Sequence, residues 1–130
     1  MVSISHRLGK KERLSGQKAI GGLFSVGSFS LTEYPIRAVF KLSEPVPETP
    51  PVRILVSVPK RYFKHAVDRN RVKRQLREAY RKNKQLLIDA ATDKGLFVVV
   101  AMIWISDKHI DSHQVEQRMC NILQRISERL

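Results

Sequence analysis

Apolar and polar residues alternate in two stretches of the chain, a pattern typical of β-strands. In "YPIRAVFKL", the face that begins at Ile36 is apolar, whereas the other face carries Arg37, Val39 and Lys41. A second strand, "VRILVSV", follows a Pro-rich, acidic segment over residues 43–51, for which we predict a flexible loop. We expect the two strands to pair as an antiparallel hairpin, with an extra short strand near residues 29–31.

The last third of the chain contains a buried strand and a helix. The run "LFVVVAMIWI" is continuously apolar and rich in β-branched residues, which predicts a strand buried on both faces. Asp111 is placed to cap the final helix, with Gln114 completing a capping box. One face of that helix is an apolar stripe with helical spacing: Val115, Met119, Ile122, Leu123, Ile126 and Leu130.

The beginning of the chain predicts one more helix. The stretch "SGQKAIGGLFSVG" suits a short helix that begins near Ser15 and ends near Gly27, and the basic segment 1–12 before it is expected to be partly disordered. The predicted order is therefore α-β-β-α-β-α. We interpret residues 1–130 as one α+β domain, an α/β sandwich in which helices pack on a small sheet.

The stretch "AVDRNRVKRQLREAYRKNK" is both strongly charged and helical in its periodicity. We predict a helix from about Ala66 to Ala90. On a helical wheel, one arc of about 100° collects cations and no acid, because Glu78 lies to its side. The opposite arc is mainly apolar. The cationic arc comprises Lys73, Arg74, Arg77, Arg81 and Lys84, and the opposite arc includes Val72, Leu76, Ala79 and Tyr80.

The charge of the chain is concentrated in and just before this helix. The net charge is +12, and residues 60–84 hold eleven Lys or Arg against two acids, which is +9 of that total. A local cationic surface of this kind indicates a polyanionic partner, nucleic acid first. The single Cys120 excludes an internal disulfide framework, and neither a signal peptide nor a run long enough to cross a bilayer is present, so we expect a cytoplasmic protein.

Several other readings of the basic helix are weaker. A solvated helix without a partner usually mixes charges, and a membrane-binding helix would carry Trp or Phe beside its cations. A DNA-binding helix-turn-helix needs a helix just before the recognition helix, whereas strands flank this one. Composition alone leaves a ribosomal or RNA-chaperone protein open. In "PKRYFKH", Phe63 is expected to be buried under the start of the helix, and Tyr62 stays open between burial and stacking.

The sequence contains no pattern typical of a protein nuclease. The twelve acids are scattered, without the carboxylate cluster that would hold a metal pair. His109 and His113 are four residues apart and could share a helix face, but no third ligand lies near them in sequence. We therefore predict neither catalytic residues nor a metal site.

The segment "RNRVKRQLREAYR", Arg69 to Arg81, resembles the signature of the bacterial ribonuclease P protein family. The flanking stretches "RILVSVPKRYFKHAV" and "KKERLSGQKAIGGLFSVG" are similar to the family as well. The resemblance implies a fold like domain 2 of ribosomal protein S5, a mixed sheet with a left-handed βαβ crossover. It also implies a protein that joins a catalytic RNA in removing the 5′ leader of precursor tRNA, with Mg²⁺ bound by the RNA and no cofactor in the protein. We expect the free protein to be a monomer.

The resemblance also implies two binding surfaces. One faces the catalytic RNA, and the other is a cleft for the single-stranded leader. Phe24 matches a cleft aromatic, and Ile20 stands where the family often has another. The RNA-facing set is Lys60, Arg61, Lys64, Arg69, Asn70, Arg71, Lys73, Arg74, Arg77 and Arg81. The cleft set is Ile20, Phe24, Tyr34, Phe40, Asn70, Lys73 and Arg77.

Overall fold

The computed structural model describes residues 28–130, which form four strands and three helices. The helix predicted near Ser15 lies outside these residues. Within them, no helix is long and apolar enough for a membrane crossing. The elements in chain order are β1 (Phe29–Glu33), β2 (Ile36–Ser43), β3 (Val52–Ser57), α1 (Ala66–Asn83), α2 (Gln85–Lys94), β4 (Phe97–Trp104) and α3 (Ser112–Arg129).

The four strands form one mixed sheet in the order β1-β2-β4-β3, which confirms the α+β class. β2 is antiparallel to β1 and β4, and β3 is parallel to β4. The predicted β2–β3 hairpin is therefore wrong, since β4 lies between these two strands. A continuously apolar strand is most stable in the centre of a sheet, where it has a neighbour on each edge. The chain from β3 through α1 and α2 makes the parallel crossover, whose left hand stays a prediction.

The alternation of β2 sorts its side chains onto two faces, as predicted. Ile36, Ala38 and Phe40 lie in the main core beneath the helices, where the Phe40 ring stacks on Phe29 with centroids 5.4 Å apart. On the other face, Val39 lies in a smaller apolar cluster with Leu55, Val99, Ala101 and Ile103. All three described helices contribute buried residues to the main core only, so none of them covers this second face.

The predicted long helix is two helices that meet at Lys84. The Asn83 side chain donates from Nδ2 to the Ala79 carbonyl at 2.8 Å and also reaches Glu116 Oε1 at 3.3 Å. A side chain that occupies a carbonyl of the preceding turn competes with the backbone ladder, which explains the interruption. Lys84 is buried, with 3% of its surface exposed, so its predicted place among the exposed cations is wrong.

Both later helix ends have identifiable caps. α2 continues beyond Ala90, where the predicted helix ends, and it stops at Gly95, whose φ of 64° is the left-handed conformation that glycine adopts readily. The Gly95 N–H donates to the Thr92 carbonyl and the Leu96 N–H to the Ala91 carbonyl. At the start of α3, the Asp111 carboxylate accepts a hydrogen bond from the Gln114 N–H at 2.9 Å, which confirms the predicted cap.

Candidate nucleic-acid interface

Helix α1 separates its charged and apolar side chains as the helical wheel predicts. Its buried face packs mainly against α3 and also against β3, rather than on the sheet alone. Asn70, Arg71 and Arg74 are exposed, and Lys73 and Arg77 are half-buried. The buried residues are Val72, Leu76, Ala79 and Tyr80. The anchored back of the helix holds these cations in a fixed row, although their contacts with RNA stay predictions.

One acid does reach this row. Arg81 donates from Nε to Glu78 Oε2 at 3.0 Å, and its Nη2 donates to Glu78 Oε1. The hydrogen bond from Arg81 lowers the pKa of Glu78, and the same contact raises the pKa of Arg81. A guanidinium engaged through two nitrogens has fewer donors left for a phosphate. Arg81 therefore differs from the exposed Arg71 and Arg74 in that a carboxylate already accepts from two of its nitrogens.

The segment from Lys60 to His65, which we call the basic loop, presents three exposed cations beside the start of α1. Lys60, Arg61 and Lys64 are exposed, and the Arg61 guanidinium lies 4.9 Å from the centroid of the Tyr62 ring. Phe63 is buried, as predicted. Arg61 Nη2 also donates to the Tyr62 hydroxyl oxygen at 3.4 Å, and a guanidinium has further donors that can meet a phosphate or a base.

Arg69, the first residue of the signature, holds the basic loop. Its Nη1 donates to the carbonyl oxygens of Phe63 at 2.8 Å and Lys64 at 2.9 Å. These bonds tie the loop to the first turn of α1. The predicted contact of Arg69 with RNA is untested, but the structure assigns one of its nitrogens to the protein itself. Sequence spacing alone did not indicate this role.

The two histidines considered as a metal pair are not partners. His113 lies in the first turn of α3, whereas His109 lies in the preceding loop, where Nε2 contacts Asp68 Oδ1 at 3.1 Å. The His109 ring also stacks on Phe63, with centroids 4.5 Å apart. Within residues 28–130, no three His, Cys, Asp or Glu side chains are grouped so that they could hold a metal ion.

The second face of the sheet carries a groove of about 260 Å³. Its floor is apolar, and its walls include two arginines, one of which is Arg61 of the basic loop. Arg37 donates from Nε to Ser30 Oγ at 3.2 Å. The lining residues are Arg37, Leu55, Ser57, Pro59, Arg61, Ala101, Ile103 and Ile105. Because Arg61 belongs to both, the groove and the basic loop form one continuous surface.

The residues predicted for the leader cleft have different outcomes. Ile20 and Phe24 lie outside the described residues. Tyr34 is 63% exposed in the turn between β1 and β2. The prediction for Phe40 is wrong, because its ring is fully buried in the main core, on the face of the sheet opposite the groove. The alternation of β2 could have found Arg37 instead, since it occupies the same face as Val39.

Comparisons with known proteins agree with one another. The family model described as Ribonuclease P matches residues 8–127. The chain is 39% identical over 120 residues to the Porphyromonas gingivalis ribonuclease P protein component, covering 92% of this chain and 86% of that one. It is 40% identical over 94 residues to the Chlorobaculum tepidum ribonuclease P protein component, covering 70% and 60%.

Solved structures show the same fold. The chain is similar to the Staphylococcus aureus RNase P protein with a TM-score of 0.68 and 18% identity, over 88% of this chain and 94% of that one. It is similar to the RNase P protein of Thermotoga maritima with a TM-score of 0.68 and 21% identity, over 88% and 96%.

Proposed function

This chain belongs to the ribonuclease P protein family, and we propose that its two cationic surfaces bind two different RNA segments. As a protein component of ribonuclease P, it works with the RNA subunit in removing the 5′ leader from precursor tRNA. The proposal concerns which side chains perform that work. It rests on one observation above all, the continuity of the basic loop and the sheet groove at Arg61.

The exposed row on α1 and the basic loop would bind the RNA subunit. A row of fixed cations neutralises successive phosphates and releases counterions, which gives affinity without reading sequence. Arg71 and Arg74 are exposed on α1, and Lys60 and Lys64 extend the surface beyond the start of the helix. Because the buried face of α1 fixes the helix on the core, the positions from which its cations extend are set before RNA binds, and less ordering is needed on binding.

The groove on the second sheet face would bind the leader. Single-stranded RNA exposes both bases and phosphates, and it is bound best by an apolar floor with cations at the rim. Leu55, Ala101 and Ile103 supply such a floor, and Arg37 and Arg61 supply the cations. Asn70, Lys73 and Arg77 of α1, with Tyr34 of the β1–β2 turn, remain the other described candidates for this role.

We propose further that the RNA subunit performs the hydrolysis and binds the Mg²⁺ that the reaction uses. The family resemblance supports this division of labour. In it, the protein holds RNA in place and contributes no nucleophile, general base or cofactor. We also propose that the free protein is a monomer and acts in the cytoplasm, where bacterial precursor tRNA is made.

A reconstitution tests the function. The protein is mixed with a bacterial ribonuclease P RNA at low Mg²⁺, and 5′ cleavage of precursor tRNA is measured. We expect stimulation by the wild type and its loss when Lys73 and Arg77 are both changed to Glu. A matched double charge reversal on other elements, Lys94→Glu with Arg118→Glu, controls for net charge alone. Binding without stimulation would favour a general RNA-chaperone role over the proposal.

A second comparison tests the groove. Arg37→Ala should weaken binding of leader-bearing precursor tRNA to the holoenzyme more than binding of mature tRNA. The same experiment with Lys94→Ala should leave the ratio of the two affinities unchanged. Equal losses for both ligands with Arg37→Ala would remove the groove from the leader path.

A further inference from the structure

The loop between β4 and α3, residues 105–111, is fastened to helix α1 at two points. Near the middle of α1, Gln75 Nε2 donates to the Ile110 carbonyl at 3.0 Å and contacts Ser112 Oγ at 3.2 Å. In the first turn of α1, Asp68 meets His109 at 3.1 Å. These two sets of contacts are about two helical turns apart, so they hold the loop along the helix and restrict its rotation about either one.

Beside the first turn of α1, where it meets Asp68, His109 also contacts the basic loop. Its ring lies on Phe63 with an interplanar angle of 19° and a centroid separation of 4.5 Å. Phe63 is only 8% exposed, and its carbonyl oxygen accepts from Arg69. The side chain of Phe63 is thus held from the β4–α3 loop and its backbone from α1. The exposed Arg61 and Lys64 lie within two residues of this anchor on either side.

The hydrogen bond defines the orientation of the imidazole. His109 Nε2 lies 3.1 Å from Asp68 Oδ1, and the tautomer with hydrogen on Nε2 is the one that lets this carboxylate oxygen accept. His109 Nδ1 is buried and has no hydrogen-bond partner among the described residues. The ring is therefore held at one nitrogen and one face, and both contacts lead to the RNA-facing elements rather than to solvent.

We propose that His109 is a positioning residue for RNA binding, which sets the basic loop against α1 so that their cations engage the RNA as one surface. The proposal deepens the proposed function and rests on it. Without His109, Phe63 would lose one of the groups packed on its ring. Lys60, Arg61 and Lys64 would then have to be ordered at the moment of binding, and that ordering weakens affinity.

The experiment measures binding of the full-length protein to a bacterial ribonuclease P RNA over a range of salt concentrations. His109→Ala should weaken binding about tenfold near 0.1 M salt and reduce the slope of log K against log salt by about one to two phosphate contacts. His113→Ala, an exposed histidine of α3, is the matched control and should change neither quantity. His109→Phe keeps a ring on Phe63 and should bind within about threefold of the wild type.

A double-mutant cycle separates positioning from a general loss of stability. Lys64→Ala should reduce the salt slope in the wild type but cost less than about twofold in affinity when His109 is already Ala. Thermal melting of each variant identifies a temperature at which all are folded, and binding is measured there. Additive losses for His109→Ala and Lys64→Ala, or an unchanged salt slope for His109→Ala, would overturn the positioning role while leaving the proposed function intact. Failure of the wild type to bind the RNA would overturn both.

Discussion

Glu78 and Arg81 form a two-point ion pair one turn apart on α1, at the edge of the row of cations. The pair engages one arginine at the edge of a surface on which Arg71 and Arg74 are exposed. It also places one carboxylate where a phosphate would approach. If RNA binds this row as we propose, the pair is a contact that binding must replace or tolerate.

Removing the carboxylate should strengthen RNA binding. With Glu78→Gln, we expect higher affinity for ribonuclease P RNA and a salt slope steeper by about one phosphate contact, because the variant removes a negative charge beside the cationic row and weakens the contact between residue 78 and Arg81. Glu128→Gln changes the net charge equally on α3 and is the matched control. If both variants strengthen binding alike, only the net charge matters and the pair has no special role.

The same pair predicts how this gain depends on pH. The hydrogen bond from Arg81 lowers the pKa of Glu78. The Glu78 side chain therefore keeps its negative charge, and the ion pair persists, until the pH falls through this lowered pKa. The affinity ratio between Glu78→Gln and wild type should therefore stay constant from about pH 5.5 to 8. A ratio that falls towards one at the acidic end of that range would show that the pair titrates there.

The thiol of Cys120 should react slowly. Burial raises its pKa, and the nearby Glu116 carboxylate raises it further, so less thiolate is present at neutral pH than in a free cysteine. Alkylation at about pH 8 should be slower for the native protein than for the unfolded one, and Glu116→Gln should accelerate it modestly. Because the chain has a single cysteine, incorporated label reports this site directly. Equal rates in native and unfolded protein would contradict the raised pKa.

The sequence predicted the sheet face on which a side chain lies more reliably than it predicted which strands are neighbours. Alternation placed Phe40 and Val39 on opposite sides of β2, and the structure has them so. Which strands pair depends on how apolar each strand is on both of its faces and on which other strands compete for the same edge. The residue pattern within one strand does not contain this information. β4 took the central position for that reason, and the predicted β2–β3 hairpin failed.

A helical wheel could not predict two features of the basic helix. The wheel gives an angle for every residue as if the helix were unbroken, so it placed Lys84 with the cations. α1 ends at Asn83, whose side chain donates to the Ala79 carbonyl, and the next residue, Lys84, is buried. The wheel likewise put Glu78 beside the row, but Arg81 is long enough to reach it.

The apolar back of α1 should dominate its stability. Leu76 is fully buried in the main core, whereas Leu86, at the start of α2, is 50% exposed. Leu76→Ala should lower the free energy of unfolding by about 2–5 kcal/mol, and Leu86→Ala by less than about 1 kcal/mol. Denaturant unfolding of both variants measures the difference. Equal costs would mean that α1 is not anchored by this face.

The burial of Phe40 separates stability from leader recognition. Phe40→Leu should lower the free energy of unfolding by about 1–2 kcal/mol, because the smaller side chain underfills the core and loses the stack on Phe29. Among folded molecules, the ratio of affinities for leader-bearing and mature tRNA should stay at the wild-type value, since the ring faces away from the groove. Arg37→Ala should show the opposite pattern, with a small change in unfolding and a reduced ratio. Both quantities can be measured on the same preparations, by denaturant unfolding of the free protein and by equilibrium binding to the reconstituted holoenzyme. A reduced ratio for Phe40→Leu at a temperature where it is folded would place the leader on the helix-covered face and contradict the assignment of the groove.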